Sequence, residues 1–216
     1  KLISLQPTYF EGRANYALAL KSIGEYSSSL REYEQIIMIK KSSKVAFHLS
    51  LTKLTLENFK EGYDEYEVRW KVDPLSKAIW PIQNRELWEG QDGKKLLLWK
   101  EQGIGDDILF LGLVLEAKKR SKFLTVYTDS RLVSLCERGM PGVVFKPYKN
   151  KIDDEDFDYH LPMGSLPRLF RSDIKDFENT VTSYLKADKE RVQSLREELD
   201  LGNKKVVGIS WKSIKS

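Results

Sequence analysis

The chain has 216 residues, of which 41% are hydrophobic and 31% are charged, a composition typical of a folded globular protein rather than a disordered one. Its 36 basic and 32 acidic residues are interspersed, so we expect no nucleic-acid partner. The single cysteine, Cys136, excludes an internal disulfide and indicates a reducing, cytoplasmic location. We expect it to be a small buried hydrophobic residue. No apolar run approaches the roughly 20 residues needed to span a bilayer.

A helical repeat is predicted in the first third of the chain. Apolar residues between Tyr16 and Ile23 recur at spacings of three and four, as on one face of a helix. The stretch GEYSSSLREYE from Gly24 aligns with ENFKEGYDEYE from Glu57 at an offset of 33 residues. A period of this length resembles the tetratricopeptide repeat, whose helix pairs stack because one pair alone cannot bury its shared face. The resemblance implies a bound protein or peptide partner; a spacer that caps the next domain is the alternative.

An ordered connector is predicted between two domains, the repeats at 1–72 and a second domain at 94–216. Prolines and glycines break the helical periodicity over 73–93. The connector also carries Trp80 and Trp88, which are costly to expose in a free linker. We expect both tryptophans to pack between the repeats and the second domain.

From Lys94 onward, short apolar strands alternate with amphipathic helices, which predicts a mostly parallel sheet. The predicted strands are Leu96–Lys100, Phe123–Thr128, Val143–Pro147, Phe157–Leu161 and Val206–Trp211. The predicted helices are Asp106–Lys119, Ser130–Arg138, Leu166–Phe170 and Lys189–Leu199. The expected fold class is therefore α/β, with a Rossmann-like parallel sheet preceded by an all-α segment.

The turn after the first predicted strand carries the candidate chemistry. Its sequence EQGIGDD is not a dinucleotide fingerprint, because Ile108 stands where the third glycine belongs, and it is not a P-loop, because no Gly-Lys-Ser/Thr follows. Asp106 and Asp107 at the helix start suit a capping role. Their charge would repel a phosphate, so a hydroxyl-bearing acceptor is the better ligand for this turn.

A resemblance to a known family rests on three motifs. GKKLLLWKEQGIGDDILF, with GYDEYEVRW upstream and FDYHLPMGSLPRLF downstream, resembles bacterial tetratricopeptide-repeat proteins fused to a module similar to the heptosyltransferase class of GT-B glycosyltransferases. The resemblance implies the acceptor-side half of a GT-B fold, with Asp106 as the base that takes a proton from the acceptor hydroxyl. Two alternatives stay open: Asp107 is the carboxylate that faces the cleft, or Asp106 only caps the helix.

Further residues are candidate substrate-binding positions. Gly103 and Gly105 would let backbone and substrate approach closely. His160 is interpreted as an acceptor ligand or, more often for a lone histidine at a strand end, as a structural residue. His48 and His160 are too few for a metal cluster, and neither a metal nor a cofactor is expected. The remaining candidates are Gln102, Asp107 and Ser165.

The function expected from these features is the acceptor-side portion of an inverting glycosyltransferase. Such an enzyme moves a sugar from a nucleotide-sugar to a hydroxyl of a sugar or protein acceptor. The final segment VVGISWKSIKS resembles the crossover into the second half of a GT-B enzyme. The donor is therefore expected to bind mainly to a C-terminal domain outside this chain. The chain by itself is not expected to be active. The alternative is a non-catalytic repeat module for protein interaction, with a degenerate Rossmann-like domain.

Overall fold

The computed structural model describes residues 9–78, 80–83, 85–152, 156–178, 183–200, 202 and 204–209. An all-helical segment comes first, and a parallel sheet with its own helices follows. The predicted fold class, α/β preceded by an all-α segment, is confirmed. The helical segment ends in a short 3-10 turn, Glu67–Lys71, and the described residues between it and the sheet are irregular apart from a second 3-10 turn, Leu75–Lys77.

The helical segment consists of two helix pairs with the same spacing along the chain. Its helices are α1 (Phe10–Ser22), α2 (Tyr26–Ile39), α3 (Ser43–Thr55) and α4 (Phe59–Tyr66). The first helices of the two pairs begin 33 residues apart, at 10 and 43, and so do the second helices, at 26 and 59. The structural period therefore equals the offset found in the sequence.

A small core holds the helix pairs together. Its buried members come from α1, α2 and α3, and they are Ala17, Tyr33, Ile36, Val45 and Leu49. Gly24 turns the chain between α1 and α2 with a φ of +87°, a value that L side chains rarely adopt. The predicted apolar face of α1 is only partly buried, because Ala17 is fully covered whereas Ile23 is 75% exposed.

Within the described residues, the sheet contains four parallel strands, in the order β3-β2-β1-β4. The strands are β1 (Lys94–Trp99), β2 (Ser121–Thr128), β3 (Val144–Pro147) and β4 (Tyr159–Pro162). The accompanying helices are α5 (Ile104–Leu111), α6 (Val114–Arg120), α7 (Val133–Gly139), α8 (Leu166–Phe170) and α9 (Lys189–Glu198). The predicted helix Asp106–Lys119 is therefore two helices, with the interruption at Gly112 and Leu113.

The predicted strand Val206–Trp211 is wrong over its described part. Residues 206–209 are exposed and pair with no strand of the described sheet. An apolar alternation forms a strand only where a sheet edge accepts its backbone hydrogen bonds. Residues 210 and 211 lie outside the described residues.

The two faces of the sheet are covered differently. One face packs on α5 to α8 through a core that includes Cys136, as predicted for a small buried hydrophobic residue. Burial raises the pKa of the Cys136 thiol to about 11. The other face packs on the connector and on the end of the helical segment, where the rings of Trp70 and Trp80 lie 5.8 and 5.3 Å from that of Trp99.

The prediction for the connector tryptophans is right for one of them. Trp80 lies between the helical segment and the sheet, with its ring centroid 4.8 Å from that of Trp70. Trp88 instead joins the core on the helix-covered face, 5.9 Å from the Phe170 ring. Its backbone N–H donates to the carbonyl of His160, which holds this part of the connector along β4.

Candidate functional site

The turn after β1 places two adjacent aspartates in contrasting environments. Gly103 is the residue before α5 and has an extended backbone. Asp106, in the first turn of that helix, is half-buried, and its Oδ2 accepts the N–H of Gly103 at 3.2 Å. The carboxylate thus satisfies one of the helix N-terminal donors that have no partner within the helix. Its remaining acceptor positions are available to a ligand.

Asp107 is buried in the fold and is only 1% exposed. Its Oδ2 accepts the Thr128 hydroxyl at 2.9 Å and the N–H of Asp129 at 3.0 Å, and it lies 3.6 Å from the ammonium of Lys100. Burial raises the pKa of Asp107, although these three partners oppose the increase. The carboxylate therefore joins the ends of β1 and β2 and does not face a cleft.

A cleft of about 450 Å³ opens at the turn. It lies between the helical segment, the start of the connector and the turn itself. The wall on the helical side includes Phe47 and Arg69, and the turn contributes Glu101, Gln102, Gly103 and Asp106. The cleft is therefore at the carboxyl end of β1, where open parallel sheets bind their ligands. Of the two aspartates, Asp106 is the one that lines it.

The glycines of the turn are not required by the fold. Gly103 and Gly105 have ordinary backbone conformations, and a methyl group on Gly105 would meet no atom within 4 Å. A methyl group on Gly103 would make only an ordinary contact at 3.6 Å with the Asp106 carboxylate. Gly103 also lines the cleft, so its lack of a side chain leaves space beside the Asp106 carboxylate. Gly105 is exposed and precedes Asp106 in the chain.

An ionic cluster, buried except at Glu67, lies directly behind the turn. We call Glu67, Arg69, Glu101 and Ser165 the junction cluster. The Arg69 guanidinium binds both oxygens of Glu101, each at 2.8 Å, and donates to the Ser165 hydroxyl at 2.8 Å. Ser165 in turn donates to Glu67 at 3.0 Å. The cluster thus connects the helical segment, the loop after β1 and the loop after β4.

Two predicted substrate-binding residues, Gln102 and Ser165, make hydrogen bonds within this interface. Ser165 is buried, and its hydroxyl is occupied by the junction cluster. The side-chain amide of Gln102 lines the cleft but donates to the Tyr66 hydroxyl at 3.2 Å and to Glu101 at 3.1 Å. Gln102 can still present its amide oxygen to a ligand.

His160 lies in the core of the sheet, away from the turn. It is 2% exposed, and its Nδ1 accepts the indole N–H of Trp99 at 3.1 Å. Burial lowers the pKa of the imidazole, although a hydrogen bond with the Arg85 backbone opposes the decrease. This environment fits the interpretation of His160 as a structural residue.

The sequence alone does not identify Arg69 and Glu101 as members of a site. The one signal is that Arg69 lies between two apolar residues, Val68 and Trp70. A charged residue that is buried with such neighbours usually has a charged partner. The partner, Glu101, is 32 positions away, and only the fold brings the two together.

The described part of the chain contains no group of three or more His, Cys, Asp or Glu side chains suited to a metal ion.

A second concavity lies on the helical segment. This groove, of about 340 Å³, is formed between α1 and α3. Tyr33 of α2 lines it and is almost fully buried, and its hydroxyl has no hydrogen-bond partner among the described residues. Ala14 on α1 and Lys44 on α3 also line the groove. Of the described helices, none has the length and apolar character needed to cross a membrane.

Comparison with known proteins finds one distant relative for the whole chain. No family model matches. The chain is 28% identical over 238 residues to Protein FlbA of Caulobacter vibrioides. The aligned region covers 99% of this chain and 39% of FlbA, so the chain spans about two-fifths of that protein's length. The similarity therefore extends across the helical segment, the connector and the sheet together.

Proposed function

We propose that this chain is the acceptor-side part of an inverting glycosyltransferase. The observation that carries the proposal is the cleft of about 450 Å³ at the carboxyl end of β1, lined by Asp106. Asp107 is committed to Thr128 and Asp129, so the choice between the two adjacent carboxylates falls on Asp106. A single half-buried carboxylate beside open glycines suits a general base for a hydroxyl nucleophile.

The proposed mechanism needs little from the protein besides position and charge. Asp106 accepts the proton of the acceptor hydroxyl while that oxygen attacks the anomeric carbon from the face opposite the leaving nucleotide. The configuration at that carbon inverts. The space beside Gly103 and Gly105 lets the acceptor approach the carboxylate. The nucleotide-sugar is held outside these residues, by a donor-binding domain of the intact polypeptide.

The intact polypeptide incubated with nucleotide-sugars provides the test. We expect one donor to be consumed, with release of its nucleotide, when a suitable hydroxyl acceptor is present. The product linkage, read by proton NMR, should have the anomeric configuration opposite to that of the donor. Product with retained configuration, or no transfer to any sugar or protein acceptor, would contradict the proposal.

The groove of the helical segment supports a second candidate function, binding of a protein or peptide. Its support is a concavity of about 340 Å³ between α1 and α3, whose lining combines apolar side chains with Lys40, Lys44 and His48. An Ala14→Trp variant fills the groove. If the groove receives a protein acceptor, this variant should raise the KM for that acceptor and leave transfer to a free sugar unchanged. If the KM stays the same, this groove is not the binding site.

A further inference from the structure

The guanidinium of Arg69 occupies the crevice in which open parallel sheets bind ligands. In the order β3-β2-β1-β4, the chain moves from β1 to one side and returns on the other side at β4. Such a reversal leaves a crevice between the loops that follow the two strands. Here Glu101 follows β1 and Ser165 follows β4, and Arg69 bonds to both. A side chain of the helical segment therefore fills the position where a ligand is expected.

Arg69 has no donor left for a ligand. A guanidinium carries five N–H groups. In Arg69, one on Nε and one on Nη2 bind Glu101, and the other on Nη2 binds Ser165. The two on Nη1 reach the Glu67 carboxylate at 2.7 Å and the Tyr66 carbonyl at 3.5 Å. Although it borders the cleft, Arg69 cannot be the residue that binds substrate there.

The surroundings of Arg69 fix the guanidinium plane as well. The side chain is 1% exposed, and its Cζ lies 4.8 Å from the Tyr66 ring and 4.9 Å from the Trp70 ring. Burial lowers the pKa of Arg69, but hydrogen bonds and charge from Glu101 and Glu67 outweigh it, so the pKa is raised overall. The guanidinium is therefore charged and held in one orientation.

Glu101 transmits this orientation to the turn. It immediately precedes Gln102 and Gly103, which lead into α5 and Asp106. A Cβ atom on Gly164 would overlap the Glu101 carboxylate, so the carboxylate packs directly against the backbone of the loop after β4. The start of the turn is thus set by contacts from the helical segment and from β4.

A buried ion pair is weak evidence for stability, because apolar residues of similar volume are often as good or better. A planar, bidentate pair does fix geometry. We propose that Arg69 is a positioning residue that holds the Glu101–Asp106 turn in its functional conformation. The helical segment is then part of the site and not a detachable spacer. This inference rests on the proposed function, since it concerns the same turn.

Chemical rescue in an Arg69→Ala variant tests the inference. The variant leaves a guanidinium-sized space between the rings of Tyr66 and Trp70. We expect amide hydrogen exchange at residues 102–107 to rise at least about tenfold, with the centres of α2 and β2 unchanged. Guanidinium chloride on the order of 10 mM should restore protection at the turn, because this concentration is far below denaturing levels. Urea at the same concentration, similar in shape but neutral, should not.

Several results would overturn the inference: unchanged exchange at 102–107, equal increases throughout the protein, or equal effects of urea and guanidinium. If the alanine variant does not fold, Arg69→Lys decides the matter, since it keeps the charge and loses the bidentate fork. It should also raise exchange at the turn, and wild-type protection there would contradict the inference. No readout depends on sugar transfer, so failure of the proposed function would leave these results intact.

Discussion

Two neighbouring regions at the carboxyl end of β1 use charged residues in opposite ways. The junction cluster is buried except at Glu67, whose side chain is 32% exposed, and its side chains hydrogen-bond to one another. The Gly103–Asp106 side of the turn is open, and its aspartate makes one backbone hydrogen bond. The difference indicates that the first region maintains the fold and the second is available for chemistry. Substitutions in the two regions should therefore separate stability from activity.

The largest effect on stability is expected from Arg69→Met. The variant leaves Glu101 buried and unpaired, which should lower the free energy of unfolding by about 3–5 kcal/mol. Urea denaturation of the protein measures this. As a control, Lys60→Met removes an exposed partner of Asp64 and should change stability by less than about 1 kcal/mol. Equal effects of the two variants would remove the distinction between buried and open regions.

Gly164→Ala should give the next largest effect. The added methyl group would overlap the Glu101 carboxylate, so that side chain or its loop must shift. We expect a loss of about 1–3 kcal/mol in unfolding free energy, as for other overpacked sites. Thermal and urea denaturation report it. Wild-type stability in this variant would show that Glu101 is not tightly placed.

The pH dependence of Asp107→Asn should be smaller but of a definite sign. Burial raises the folded-state pKa of Asp107, so its contribution to stability is complete below the unfolded pKa of about 3.9 and is lost as pH rises through the folded value. The Asp107→Asn variant has no carboxyl group to ionise at this position, so it does not lose this stability as the pH rises. Its stability relative to wild type should therefore increase as the pH rises above about 4.

Asp176→Asn is the matched control with the opposite sign. Backbone N–H groups of Asp173 and Ser172 hold the pKa of Asp176 below its usual range. Its stabilising contribution is present above the unfolded pKa and is lost as pH falls. The stability of this variant relative to wild type should therefore increase as pH decreases. Parallel pH profiles for the two variants would contradict the assignment of Asp107 as the buried, penalised carboxylate.

The smallest stability effect is expected at Gly105, with a gain instead of a loss. The position is helical and open, so Gly105→Ala should stabilise the protein by about 0.5–1 kcal/mol. The same methyl group narrows the approach to Asp106 and should lower the affinity for the acceptor. Equilibrium denaturation and acceptor KM, measured on the same preparation, check both. A variant that is more stable and binds acceptor normally would show that the acceptor does not reach Asp106 past residue 105.

The sequence predicts well those features that depend on local patterns. The 33-residue offset gives the spacing of the helix pairs, and alternating apolar runs give four strands within a few residues. The division between α5 and α6 was missed because the apolar pattern continues across Gly112. The interface was missed for a different reason. Arg69 and Glu101 meet only after the helical segment folds against the sheet, and no local pattern encodes such a contact.

The candidate site was predicted in part. The turn was located correctly at the carboxyl end of β1, because strand–glycine–helix sequences are a local signal. Which aspartate faces the cleft could not be decided, since adjacent residues at a helix start point in different directions only once the helix is docked. Burial of Asp107 against Thr128 makes that choice. Ser165 and His160 were candidate substrate-binding residues because their side chains are polar. In the structure, Ser165 hydrogen-bonds to Arg69 and His160 to Trp99, so both side chains serve the fold.

The most direct test of this account is Asp106→Asn in the intact polypeptide, with transfer rate and unfolding free energy measured together. Asparagine keeps the shape and an oxygen acceptor for the Gly103 N–H. We therefore expect stability within about 1 kcal/mol of wild type. The transfer rate should fall by about 10²–10⁴-fold, as for loss of a general base. Full transfer activity would contradict the role of Asp106 as the base, and a stability loss as large as that of Arg69→Met would place it with the structural carboxylates.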